Sequence, residues 1–349
     1  MKRYLNKALM YQWFNTAKVP ILIGIMIWGF IANEILNDQY YQTMGDISLL
    51  DGDGFRGAYL PSYVILGVIF LSIYFIVLGV NKRNMNMFLL SGPYTKKQIR
   101  SNELICFLIT LVLFIITYIY IAITFYIRHS ESFTIINGYS TIILIESIKI
   151  FLLGIIGILF ILIVDSLFSN ASVIALSMGF MFFSFLLILH KIDWIFRVFR
   201  NVLDVDKYIN NINYIKNKFL IFNEDYSRIN VRLKNFFIYC IILLVIIAIM
   251  LIVLRILQRK CGFETNNRLF SSKWSQNVIS IYSAIIISMF ADLIVLSDFQ
   301  NHILYNSNRF NASLPLKDIS ILLLSDISFI TIASIISYKI IKRIIKKIT

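Results

Sequence analysis

Apolar runs of about twenty residues alternate along this chain with short polar stretches, and the runs lack the period-two alternation of half-buried strands. Eight of them predict helices at 19–36, 61–80, 104–127, 141–164, 171–190, 236–254, 278–297 and 319–338. Roughly 20 such residues cross about 30 Å of hydrocarbon with every backbone hydrogen bond satisfied inside the helix. The pattern therefore predicts an all-α polytopic membrane protein. Prolines fit this division: Pro20 and Pro61 fall in the first turn of a run, where a missing N–H costs little, and Pro93 and Pro315 fall in connections. The first run follows Lys18, is too long and tryptophan-bearing for a signal peptide, and precedes no small-residue cleavage site, so it is expected to be retained. Ahead of it, Tyr4, Leu5, Ala8, Leu9 and Trp13 recur at helical spacing, which predicts an interfacial helix over 1–18.

Composition agrees. The 349 residues are 58% hydrophobic and 15% charged, with a mean hydropathy of +0.77, more apolar side chain than one soluble core buries. Lys and Arg in the flanks give an orientation. They gather at the N-terminus (Lys2, Arg3, Lys7, Lys18), the second connection (Lys82, Arg83, Lys96, Lys97, Arg100), the sixth connection (Arg255, Arg259, Lys260, Arg268, Lys273) and the tail (Lys339 to Lys347), so these are expected in the cytoplasm. The first connection, with Asp38, Asp46, Asp51 and Asp53 against Arg56, belongs outside. An even number of spans in the plasma membrane with both termini inside follows. The segment 191–234 carries nine Lys and Arg against five Asp and Glu yet falls outside in this topology; long connections constrain orientation weakly. The net charge of +14 is thus flank charge beside anionic headgroups, and no cytoplasmic segment is long enough for a nucleic-acid-binding domain. Cys106, Cys240 and Cys261 imply no disulfide framework.

Several motif fragments carry no chemistry. Gly52, Gly54 and Gly57 match G-x-G-x-x-G without a preceding strand, and a flexible turn accounts for them. Asp51 and Asp53 open a calcium-loop pattern that fails at Arg56 and Ser62. His129, His190 and His302 stand apart, without metal-ligand spacing. G-x-x-x-x-G-K-[ST] is nowhere present, so no cofactor is expected on this chain, and any ATP and Mg²⁺ chemistry belongs to a partner.

The second connection is the informative one. Residues 85–103 read as a short apolar helix, a Gly-Pro turn at Gly92 and Pro93, and a Thr95 cap opening a basic helix with Lys96, Lys97 and Arg100. So short a helix is unstable alone in water, and its face of Met87, Phe88 and Leu90 is expected on the bilayer surface, as an ordinary interfacial loop, or in a partner's groove. Leu89-Leu90-Ser91-Gly92-Pro93-Tyr94-Thr95-Lys96-Lys97-Gln98-Ile99 is similar to the Leu-Leu-x-x-Pro-x-Ser-Arg-x-x-Ile signature after the second span of type-2 ABC exporter permeases. Glu103 stands where that pattern continues to a Lys. Residues 259–270, with Glu264, resemble the Lys-Arg-x-x-Glu-x-x-Gly region after a late span in the same family, with the glycine displaced. The resemblance implies a single permease domain over 1–349, with a connecting helix at 1–18, a cytoplasmic coupling loop at 81–103, six core spans and an extracellular segment at 191–234; the two additional spans with a basic tail at 277–349 depart from the family's usual design, as in some of its members. It also implies partners: a cytoplasmic P-loop ATPase and a second, identical or different, permease subunit. The general character is similar to exporters of bacterial cytolytic peptides, such as the phenol-soluble-modulin system.

Within 191–234, Trp194, Ile195, Val198, Val202, Val205, Ile209, Ile212, Ile215 and Phe219 recur at three- and four-residue steps, predicting amphipathic helices that form either a packing cap or a gate over an exit. Ionisable groups inside spans cost at least about 2.5 kcal/mol at mid-helix, so Glu146, Lys149, Asp292 and Asp326 either line a path or pair between packed helices. The expected function is export of an amphipathic peptide or lipid-like substrate. A membrane-embedded transferase would need a His/Asp/Glu cluster at the membrane face, and a secondary transporter two similar halves.

Overall fold

The computed structural model describes residues 6–45, 55, 57–58, 60–79, 91–136, 138–168, 171–200, 229–260, 270–300, 302–303 and 316–348. They form eight principal helices: α1 Lys7–Gly45, α2 Leu60–Tyr74, α3 Lys96–Arg128, α4 Tyr139–Leu167, α5 Ala171–Arg200, α6 Ile229–Lys260, α7 Lys273–Val295 and α8 Leu316–Ile348. Seven contain segments long and apolar enough to cross a membrane; the eighth, Tyr63–Val77, is a shorter apolar helix. Large apolar side chains such as Met26, Phe30, Leu176 and Phe237 are exposed on the helix surfaces, where lipid solvates them at no cost. This is an all-α, multi-pass membrane protein.

The helices outrun the apolar runs because their polar flanks also favour helix. The clearest case is α1, which joins the expected interfacial segment and first span into one 39-residue helix. Pro20 consequently lies in its interior, not in a first turn as its place at the start of the apolar run suggested. A proline there removes one i to i−4 hydrogen bond.

The chain divides into two compact units, one containing α1 to α4 with α6, the other containing α5, α7 and α8. In the first, α1 buries a single stripe (Leu9, Trp13, Ala17, Ile21, Gly24, Trp28, Ala32, Leu36, Gln39, Thr43). The three- and four-residue steps keep these residues on one face of the helix. Close approach is built in at Gly24, where a Cβ would lie 3.1 Å from Phe114 and 3.2 Å from Ile69 and Ile73. One turn on, the Trp28 indole donates to the Phe114 carbonyl at 3.1 Å. Gly154 of α4 lets Leu111 of α3 sit where its Cβ would be. One end of this unit is aromatic: Phe55, Phe125, Phe133 and Tyr139 are buried with Leu36 and Ile142. The Tyr139 hydroxyl donates to the Ala122 carbonyl at 2.7 Å, and Gly138 turns the chain into α4 at φ 79°, a conformation that favours glycine.

In the second unit the chain returns to itself at a short antiparallel bridge, Phe168 opposite Phe270, with the Ser271 amide on the Leu167 carbonyl at 3.1 Å. A Ser272 capping box with Ser275 then starts α7. Ser184 of α5 is hydrogen-bonded to Tyr282 of α7, and α7 packs along α8, where Ser288 and Ser334 meet at 3.4 Å.

Candidate functional site

Three clusters of buried ionisable groups stand out, two in the first unit and one in the second. The first sits where the second connection enters the helices. Thr95, in extended conformation, caps α3: its hydroxyl accepts from the Gln98 amide at 3.3 Å while its own amide donates to the Gln98 side chain at 2.9 Å. Tyr94 packs on Ile99 and Leu9, bringing the start of α1 against the start of α3. Asn102 bridges the same elements by accepting from the Asn6 amide at 3.3 Å. One turn into α3, Arg100 is 9% exposed. Its guanidinium donates to Glu103 at 3.0 Å and to Asp165 near the end of α4. The Tyr74 hydroxyl, from the last residue of α2, donates to the same Asp165 carboxylate. Immediately beyond Tyr74 the helix widens into one π-helical turn, Phe75–Gly79.

This arrangement ties the ends of α2, α3 and α4 together, and Asp165 is its hub. Of the residues singled out for coupling, Pro93 lies in the turn before α3, Thr95 is the cap, and Arg100 points inward to Asp165 and Glu103. Lys96 and Lys97 are in the first helical turn, while Met87, Phe88, Leu89, Leu90 and Glu264 lie outside the described residues. Glu103, the departure from the family pattern, serves as the local counter-ion of Arg100.

The second cluster lies further along α4. Glu146 and Lys149, 1% and 3% exposed, face one another at 3.8 Å. Glu146 also accepts from the Ala58 amide at 3.1 Å and from the Tyr63 hydroxyl of α2. A carboxylate with two further donors and a neighbouring ammonium is compensated, as burial in an apolar medium demands.

The third cluster was only half visible in the sequence. Asp292 of α7 and Asp326 of α8 are buried as a pair on Lys191 of α5, which donates to both. Gln300, in a short helical stretch after α7, donates to Asp326 at 3.2 Å. The Lys191 ammonium also lies 4.4 Å from the centre of the Trp194 ring, a cation–π contact one turn along the same helix. Lys191 sits just after an apolar run and reads in sequence as the first residue of an outer segment. Instead α5 continues to Arg200 and carries Lys191 inside, 4% exposed. The signal was available: Trp194 and Ile195 prolong the apolar face beyond His190. The remainder of that segment, 201–228, lies outside the described residues.

Comparison with known protein families, with curated proteins and with solved structures returned no match.

Proposed function

We propose that this chain is the permease subunit of an ATP-driven exporter of the type-2 ABC kind, set in the cell membrane with both termini in the cytoplasm. It works as one of a pair, each docked to a separate ATPase, and moves an amphipathic peptide or lipid-like substrate outward by alternating access. No step of ATP hydrolysis falls on this chain. The observation that carries the reading is the Leu89 to Ile99 stretch, whose resemblance to the family's coupling helix coincides with an anchored root. Force delivered to 81–95 by a closing ATPase reaches α3 at the Thr95 cap. It is then shared with α4 and α2, because Asp165 holds Arg100 and Tyr74 at once. A connection that only rested on the lipid surface has no need of such a root.

The test is purification of the full chain from its native membrane, before and after replacement of 85–93 by a Gly/Ser linker of equal length, which keeps Tyr94 and the Thr95 cap. A P-loop ATPase is expected to accompany the native chain and to be lost from the variant, with thermal stability of the variant's spans unchanged. Retention of the ATPase by the variant moves the coupling element elsewhere. If no ATPase accompanies the native chain and none is encoded beside it, the exporter reading fails.

A further inference from the structure

We propose that the Lys191–Asp292–Asp326 cluster is a proton-binding site, in which the two aspartates hold one proton between them. One ammonium faces two carboxylates, and all three residues are at most 4% exposed, so among the described residues the fully ionised cluster carries one uncompensated negative charge. Such a charge is neutralised in practice by a proton or a counter-cation. Geometry then indicates where the missing cation goes. Asp292 uses Oδ2 to accept from Lys191, while its Oδ1 is fully buried and has no hydrogen-bond donor. Lys191 donates to Asp292 and to Asp326 Oδ1 as well, so one ammonium gathers both carboxyls, and two carboxylates so gathered repel unless one is protonated. A single proton thus balances the charge and supplies a donor between the two acids.

The other clusters show why this one is singled out. Arg100 also faces two carboxylates, but there both Asp165 oxygens have donors, Tyr74 and Arg100, where Asp292 keeps a buried oxygen with none, and Glu146 has one cation of its own with two neutral donors. Among the described residues, the groups facing the third cluster are Lys191 from α5, Asp326 from α8 and the neutral amide of Gln300. His190, Asp298 and His302 are exposed. Proton release leaves two anionic carboxylates on one ammonium and weakens the joint of α5 with α7 and α8. The site therefore makes that joint sensitive to pH whatever the chain transports.

Infrared difference spectroscopy of the purified full chain in lipid, with Asp292→Asn and Asp326→Asn, tests this. The native chain is expected to show the C=O stretch of a protonated buried carboxyl at neutral pH, shifted in heavy water. Each variant should lose it, because one carboxylate then pairs with Lys191 in a neutral couple. A carboxyl band that persists unchanged in both variants, or is absent from the native chain, overturns the proposal. So does a rise in melting temperature of the native chain, and not of the variants, that requires sodium, since the cation would then be a metal ion. Should a variant fail to fold, carbon-13 aspartate spectra of the native chain decide: one protonated aspartate is expected, and none overturns the site.

Discussion

Asp165 accepts from Arg100 and Tyr74, and Arg100 donates to both Asp165 and Glu103, so removing Arg100 leaves two buried carboxylates without the cation they share. Loss of one member of a buried pair costs about 3–5 kcal/mol, whereas replacing both by apolar groups of similar volume is often near neutral. Arg100→Met should therefore lower the unfolding temperature of the purified protein sharply, and Arg100→Met with Asp165→Leu and Glu103→Leu should recover most of the loss. If the triple variant is no more stable than Arg100→Met, the pairing is not what stabilises this end of the helices. At the second cluster the effect is asymmetric. Lys149→Met leaves Glu146 with its Tyr63 and Ala58 donors, while Glu146→Ala leaves Lys149 without the carboxylate it faces. Folded yield is expected to fall further for Glu146→Ala, and equal yields would contradict this ordering. Such pairs differ in how readable they are. Glu146 and Lys149 are three apart on one helix, so their pairing follows from spacing alone. Arg100 and Asp165 are 65 positions apart and meet only because α3 and α4 pack antiparallel about Leu111 and Gly154, which no local pattern specifies.

Helices were the most legible level. Each of the eight apolar runs lies within one of the eight helices, or overlaps it, because length and hydropathy alone demand a helix in lipid. Their ends were less legible, since lysines and glutamines at the flanks prolong a helix as readily as they leave it. Where a terminus is chemically marked it can be tested singly: Thr95→Ala removes the acceptor of the α3 cap and should cost about 1 kcal/mol, read as a lower denaturation midpoint that Thr95→Ser restores. Helix packing gives a larger effect. Gly154→Ile puts side chain where Leu111, fully buried, already lies, and overpacking of this kind costs about 1–3 kcal/mol. Thermal unfolding should show the loss, and Leu111→Ala in the same chain should return part of it. Strictly additive effects of the two substitutions would mean that these side chains do not meet.

At the scale of the molecule, the compact grouping does not follow the order of the chain. The resemblance divides the spans into six and then two, yet α5 groups with α7 and α8, and α6 with α1 to α4. Lys191 explains the first half of this: a lysine carried inside by α5 is compensated by carboxylates that come only from α7 and α8. That bond also spans 135 residues of sequence between Lys191 and Asp326, and a ribosome makes the chain in order. Until α7 and then α8 emerge, α5 holds its ammonium without an anionic partner and can reach water only by leaning its long side chain toward the membrane surface. The span is thus provisional for more than a hundred residues of synthesis. Nascent chains arrested before Asp292 should expose Lys191 to water-soluble amine reagents, chains arrested after α8 should protect it, and a quality-control protease that recognises charge within the bilayer has that interval in which to act.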